Sequence, residues 1–372
     1  MNDQQFDVIV IGAGLMGAAA AWALARRQRA VLLVEQFGPG HRNGSSHGSA
    51  RIVRRAYNDE LYTRLTGQAF ELWRELERES ATGVLRLLGG IDFGAGREVG
   101  AMARKLAAQG VPLELLSADE AQLRWPGMNF EGEVMFHPQA GTVDAGLAVE
   151  CFVTVAAGNG AEVRYDSEVA ALKPRGERVE IELASGEHIG ASTAVVAAGA
   201  WVEPLLQGML KLPPLCVTQQ QAFHFPRIDP AAEPWPSVIH DSQEPIYHLA
   251  GGRDGGAADD RKIAEHRRGT ATTAAGRSGR VDDASRARMV EYVKRWLPGL
   301  EPSPRGETTC LYTTTPNEDF VLDRAGPLVI CAPCSGHGAK FAPLIGSLVS
   351  DLVTSPATAQ VPARFRLASH TR

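Results

Sequence analysis

The chain has 372 residues, 44% of them apolar and 22% charged, and a formal net charge of -5. That length suits two domains, the composition is that of an ordinary soluble globular protein, and the acidic balance argues against a general nucleic-acid binder. No basic, cleavable leader precedes the first apolar run and no run is long enough to span a bilayer, so a cytoplasmic enzyme with no membrane partner is expected.

Residues 7–35, DVIVIGAGLMGAAAAWALARRQRAVLLVE, predict a strand, a tight turn, a helix and a second strand. Gly12 makes the turn, Gly14 leaves room for a phosphate at the helix N-terminus, and Gly17 lets the helix lie close to the strand. Glu35, ending the second strand, is placed to accept a hydrogen bond from a ribose hydroxyl. The motif indicates a dinucleotide and does not choose between NAD and FAD. Residues 43–57, NGSSHGSARIVRRAY, read as a glycine and serine loop running into a basic segment. Arg51 and Arg54, three apart, would share a helix face with Arg55 pointing elsewhere; the plain reading is a solvated basic face. Helical periodicity spans 59–79 and 97–109, the first with Leu61, Leu65, Phe70, Leu72 and Leu76 as core positions.

Short strands are predicted at 160–166 and 168–172, a hairpin from 179–183 and 187–190, and a buried strand meeting a glycine turn at 194–199. Residues 217–225 and 237–248 read as strands of a second domain. The glycine-rich stretches 251–260 and 269–280 read as surface loops, with a mobile lid as the alternative. A helix at 283–296 ends before Pro298 and Gly299, LVICAP from 328 reads as a strand, and 342–353 as a final amphipathic helix. Cys331 and Cys334 form a C-x-x-C, but no second ligand pair follows, so two structural thiols and no metal are expected. The five cysteines are too few and too unevenly spaced for a disulfide framework. The resulting division is 1–80, 142–215 and 305–372 for the nucleotide domain and 81–141 and 216–304 for a substrate domain.

Four stretches, VIGAGLMG, GSSHGSARIVRRAY, TCLYTTTPNEDFVLD and SGHGAKF, with RWPGM at 124–128 and GAW at 199–201, resemble the monomeric sarcosine oxidase and N-methyltryptophan oxidase family. These are FAD amine oxidases within the D-amino-acid oxidase-like group, and the resemblance covers nearly the whole chain. It implies FAD rather than NAD, in an α/β fold whose Rossmann-like FAD-binding domain is interleaved with a sheet-based α+β substrate domain.

The resemblance also implies roles. Cys310 matches the cysteine that carries the flavin covalently, for which an accessible, electropositive setting is expected. Arg54 and Lys340 match the pair that holds the substrate carboxylate, a planar fork and a point charge. His47 and Arg51 fall beside the isoalloxazine ring, where positive charge stabilises the anionic reduced flavin. Lys262 and His266 match a lysine and histidine over the flavin, the lysine assisting reaction with oxygen, and Tyr312 matches a tyrosine near the substrate. Further cofactor contacts are implied for Ser45, Ser46, Val169, Gly199 and Trp201, and for Gly336, Gly338 and Lys340.

The departures are Ser46 in place of a first histidine, Asn317 and Asp319 in place of aspartate and histidine, and PIYHLAGG in place of an aromatic pocket wall. His248 falls where a pocket tyrosine would lie, with Tyr247 beside it. The implied reaction is oxidation of a secondary amine in an N-methyl amino acid by a monomer, with the amino acid and molecular oxygen as its only partners. Bulkier or cyclic amino acids such as N-methyltryptophan, pipecolate or proline-like substrates, and a dehydrogenase that does not use oxygen, are the alternatives; a non-catalytic FAD-binding subunit is the remaining one.

Overall fold

A computed structural model describes residues 6–242, 245–256 and 259–370. Its first sheet grows from the apolar runs of the N-terminal motif. Phe6–Ile11 lies between His188–Val196 and Val31–Val34, parallel to both, and Val31–Val34 pairs in turn with Glu162–Arg164. Parallel strands covered on both faces read as unbroken apolar runs, as VIVI and VLLV do. The separate runs at 187–190 and 194–199 are one continuous strand, His188–Val196. Its first half pairs with Arg178–Leu183 and its second with Leu328–Ala332. The antiparallel strands Val169–Arg175 and Val321–Ala325 complete this eight-stranded mixed sheet.

Helix Leu15–Ala25 is buried nearly all round because helices Ala145–Gly158 and Ala342–Thr354 pack against it. Its small residues permit that approach. A Cβ on Gly346 would stand 2.3 Å from Ala19 O, and one on Gly17 only 1.8 Å from Gly12 O. Gly17 therefore sets helix against strand, and Gly17→Ala is expected to destabilise the fold by about 3 kcal/mol through forced backbone movement. A denaturant midpoint equal to wild type would refute that.

The second sheet has nine strands. Gly90–Phe93 pairs with Glu133–His137 and Ser237–His240, and the order continues through Ile246–Ala250, Arg261–Glu265 and Cys216–Phe225. Glu114–Ser117 and Thr270–Ala271 form its edges, and Gly306–Thr314 pairs along Cys216–Phe225. The strand carrying Cys310 thus belongs to the second sheet, and the chain returns to the first sheet after Thr314 rather than at 305. The run 237–248 is two antiparallel strands, with His240 opposite Ile246; its residues 243 and 244 lie outside the described residues, as do 257 and 258 of the 251–260 stretch.

Arg51 and Arg54 sit on a strand, not a helix. Arg51–Arg54 pairs antiparallel with Ala140–Val143, which Leu85–Arg86 joins in a small third sheet. Alternation along a strand sends residues three apart to opposite faces, so the two arginines part company. Ile52 and Val53, both β-branched, favour that conformation. Helix Glu60–Ser80 begins where Asp59 accepts from Leu61 N at 2.9 Å. Leu65 and Leu76 are buried on it as expected, together with Tyr62 and Trp73. No helix among the described residues is long and apolar enough to cross a membrane.

Candidate active site

Residues from both sheets line a cavity of about 1150 Å³. One end is built by the glycine turn. Gly12 has φ +98°, and a Cβ there would meet Ala197 O at 2.7 Å, so the turn requires glycine. Gly14 faces the cavity at the N-terminus of helix Leu15–Ala25, where its own missing side chain cannot cap. Ser46 caps from across the loop, its Oγ accepting from Leu15 N at 2.9 Å. Glu35, buried at the end of Val31–Val34, accepts from Ala13 N at 2.8 Å and Phe37 N at 3.1 Å. Burial alone would raise its pKa, but hydrogen bonds from His41, Ala13 and Phe37 hold it below the usual carboxylate range. A helix N-terminus and a fixed carboxylate on one cavity wall fit the phosphates and ribose of a dinucleotide. Val169, Gly199 and Trp201 line the same region.

The middle of the cavity carries Cys310 and Lys262. Cys310 is half-buried opposite Gln220, and Ser45 Oγ donates to the neighbouring Leu311 O at 2.6 Å. Lys262 is buried and donates to Ala50 O at 3.2 Å. Burial and Arg51 pull its pKa down to about 7, while Cys310 and Asp254 oppose the fall. Arg51 folds back on its own loop, with Nη2 donating to Ser45 O at 3.0 Å and His47 O at 2.8 Å. His47 is held to about 3 by burial and by the Arg51 charge, so at neutral pH the positive charge here is Arg51's rather than the histidine's.

At the far end, Arg54 Nη1 donates to Ala56 O at 2.5 Å and to Asp92 Oδ1 at 3.2 Å. Arg97 donates to the same oxygen through Nε at 2.7 Å, and His137 Nε2 meets Oδ2 at 3.0 Å. Burial would raise the Asp92 pKa, but the Arg97 and Arg54 guanidiniums and His137 outweigh it and hold the carboxyl well below its usual range. Lys340 donates to Tyr57 Oη at 3.0 Å and His337 O at 2.7 Å, on the 3-10 turn Gly338–Phe341. Arg54 Cζ and Lys340 Nζ stand 5.0 and 5.5 Å from the Tyr57 ring centroid. Burial first, then Arg54, push the Lys340 pKa well below that of a free lysine. No carboxylate partner of Lys340 is seen among the described residues, and an anion placed between Arg54 and Lys340 would favour the lysine's charged form, so the pair could hold one. His266, held to about 4 by burial and Arg267, is neutral at this end, and Tyr247 and Tyr312 share a hydrogen bond.

Of the predicted site residues, all but two line this cavity. Gly17 packs helix on strand, as its spacing indicates. His248 is a correction: it faces the other side of the second sheet, buried to 1% exposure, with Arg261 Nε donating to its Nδ1 at 2.9 Å. Strand alternation that sends Tyr247 into the cavity sends His248 away. Tyr57, Asp92, Arg97 and His337 were not legible as site residues; Tyr57 and His337 lay within quoted motifs, and Asp92 and Arg97 lay outside them. Cys331 and Cys334 are free thiols. Burial lifts Cys331 to about 12, and Cys334 Sγ accepts from Thr313 N at 3.3 Å, so both serve packing. Among the described residues no histidine, cysteine or carboxylate group of three could hold a metal.

The family model DAO, FAD dependent oxidoreductase, matches residues 7–352. The chain belongs to this family. Its cofactor is accordingly FAD, the dinucleotide that the glycine turn and Glu35 leave room for. The monomeric sarcosine oxidase of Streptomyces avermitilis is 33% identical over 371 residues, covering 95% of each chain. The human peroxisomal sarcosine oxidase is 30% identical, covering 97% of this chain and 95% of its own. In fold, the chain is similar to the open form of NikD, an amino acid oxidase essential for nikkomycin biosynthesis. The TM-score is 0.88 at 24% identity, over 98% of this chain and 97% of that one.

Proposed function

We propose that this FAD-dependent oxidoreductase is an oxidase of the secondary amine in an N-methyl amino acid of the sarcosine type, acting as a cytoplasmic monomer with molecular oxygen as acceptor. The observation that carries the reading is the pairing of Arg54 and Lys340 about Tyr57 at one end of the cavity, with Lys262 and Cys310 farther in. FAD supplies a two-electron acceptor for a C–H bond next to nitrogen. Arg54 and Lys340 take the substrate carboxylate and so fix which C–H faces inward. His266 is neutral and cannot repel the substrate's amine. The oxidised imine is hydrolysed by water: R–NH–CH3, O2 and H2O give R–NH2, formaldehyde and H2O2, which for sarcosine means glycine. Lys262 holds a buried cation beside the site, ready for negative charge developing on oxygen.

Cys310 carries the covalent link in this reading. Its half-buried thiol lies within electrostatic reach of Lys262. Cys310→Ala is expected to leave a yellow protein whose flavin passes entirely into the supernatant on acid precipitation, while wild-type colour stays in the washed pellet. Wild-type flavin that washes out equally would remove the covalent assignment.

A further inference from the structure

The glycine-rich turn after Ala250 plays no part in the chemistry above, yet hydrogen bonds tie it to the cavity wall on both sides. Gly251 and Gly255 are buried, and a Cβ on either would press on Asp260 backbone atoms at 2.2 and 2.8 Å. Asp254 Oδ2 accepts from Ser49 N at 2.7 Å, Asp254 N donates to Ser49 Oγ at 2.8 Å, and Ser49 Oγ donates to Gly251 O at 2.7 Å. On the outer side, Arg253 forks onto Asp144 through Nε and Nη2 at 2.7 and 3.0 Å. Gly48, at φ +87°, would place a Cβ 2.8 Å from Asp254 Oδ2, so the loop and turn fit only with glycine there.

Lys262 holds the other end of the same dipeptide, donating to Ala50 O. Ser49–Ala50 is therefore gripped at its N–H by Asp254 and at its carbonyl by Lys262. It lies between His47 and Arg51, in the loop that lines the cavity. The charged and titratable groups facing Lys262 are Arg51 and His47 from this loop, His224 from Cys216–Phe225, Cys310 from Gly306–Thr314, and Asp254. Burial holds His47 to about 3 and His224 to about 4, so both are neutral near pH 7, and Arg51 opposes a second positive charge. Asp254 is the carboxylate of that set. Burial would raise its pKa, but the Ser49 bond and Lys262 lower it and keep it ionised.

We propose that residues 251–256 are a fixed clamp rather than a mobile lid, and that Asp254 is its positioning residue. It holds Ser49–Ala50 in place and supplies the counter-charge that keeps Lys262 protonated. The proposal rests on the reading of Lys262 as the cation serving oxygen.

The test uses holoenzyme. The visible flavin band is titrated with pH in wild type, Asp254→Asn, Ser49→Ala and Lys262→Met, and amide exchange is followed across 47–51. Wild type should show a spectral transition that Lys262→Met removes. Asp254→Asn retains an oxygen to accept from Ser49 N but loses the charge, and should move the midpoint down by about one pH unit. Ser49→Ala keeps the charge and loosens the grip, so amides 48–51 should exchange at least about tenfold faster with the midpoint unmoved. A midpoint unchanged in Asp254→Asn, with the transition lost in Lys262→Met, overturns the clamp's electrostatic role and leaves the Lys262 reading standing. So does a midpoint that Ser49→Ala moves equally. A transition absent from wild type, or surviving Lys262→Met, overturns the Lys262 reading and the clamp together.

Discussion

Lys262→Met is expected to slow reaction of the reduced protein with oxygen by about two to three orders of magnitude, while anaerobic reduction by substrate stays within about threefold of wild type. Methionine keeps the unbranched shape of the lysine stem and removes its charge. Among the groups near Cys310, Lys262 is buried and its ammonium donates to Ala50 O at 3.2 Å, a long contact. Arg51 is also positive, but its donors are turned onto Ser45 O, His47 O and Ala50 O. The pH dependence follows in sign. A lysine held to about 7 is mostly protonated below that pH and mostly neutral above it, so the oxygen step should slow as pH rises through that range. Stopped-flow reoxidation at several pH values checks both statements, and wild-type oxygen rates in the methionine variant would sink the assignment.

Arg54→Ala should reduce kcat/KM for an N-methyl amino acid by about a thousandfold, from loss of a charge-assisted, two-pronged contact to the carboxylate. An amine of similar shape lacking the carboxylate should change by less than about threefold. The same substitution takes one of two guanidiniums from Asp92, which is 1% exposed. Arg97 and His137 remain on that carboxylate, so its pKa should rise toward the ordinary range without the core collapsing. Arg54→Lys restores charge without the fork and should recover only part of the loss. Equal losses with both amines would show that Arg54 supports the fold rather than the substrate.

The parts of this protein that the sequence made readable are those encoded within one short stretch. Gly12, Gly14, Gly17 and Glu35 announce a nucleotide turn because they fall in one short stretch at fixed spacing between two apolar runs, although the contact that requires glycine at Gly12 comes from distant Ala197. Cys310, Lys262, Arg54 and Lys340 came from motifs whose resemblance carried them, and the fold brings all four to one cavity. What stayed hidden depends on pairing between distant segments. His137 reaches Asp92 because Gly90–Phe93 pairs with Glu133–His137, a register no local pattern states. His248 was placed in the pocket because the sequence marks a strand but not its phase; opposition to Val238 and Ile263 fixes which face it takes. Arg51 and Arg54 read as helical from spacing alone, whereas pairing with Ala140–Val143 makes them a strand. The Asp254–Ser49 grip joins residues 205 apart and has no signature in either segment.

Anaerobic mixing of the holoenzyme with a panel of secondary amino acids decides whether the protein oxidises such an acid with oxygen as acceptor. The panel would span sarcosine, N-methyl derivatives of larger amino acids and cyclic secondary acids, with the flavin band followed before and after oxygen is admitted. At least one N-methyl amino acid should bleach the flavin, and colour should return rapidly on oxygenation with one equivalent of hydrogen peroxide and one of aldehyde. Flavin that dithionite bleaches but none of these acids does, or that stays reduced in air after bleaching, would contradict this expectation.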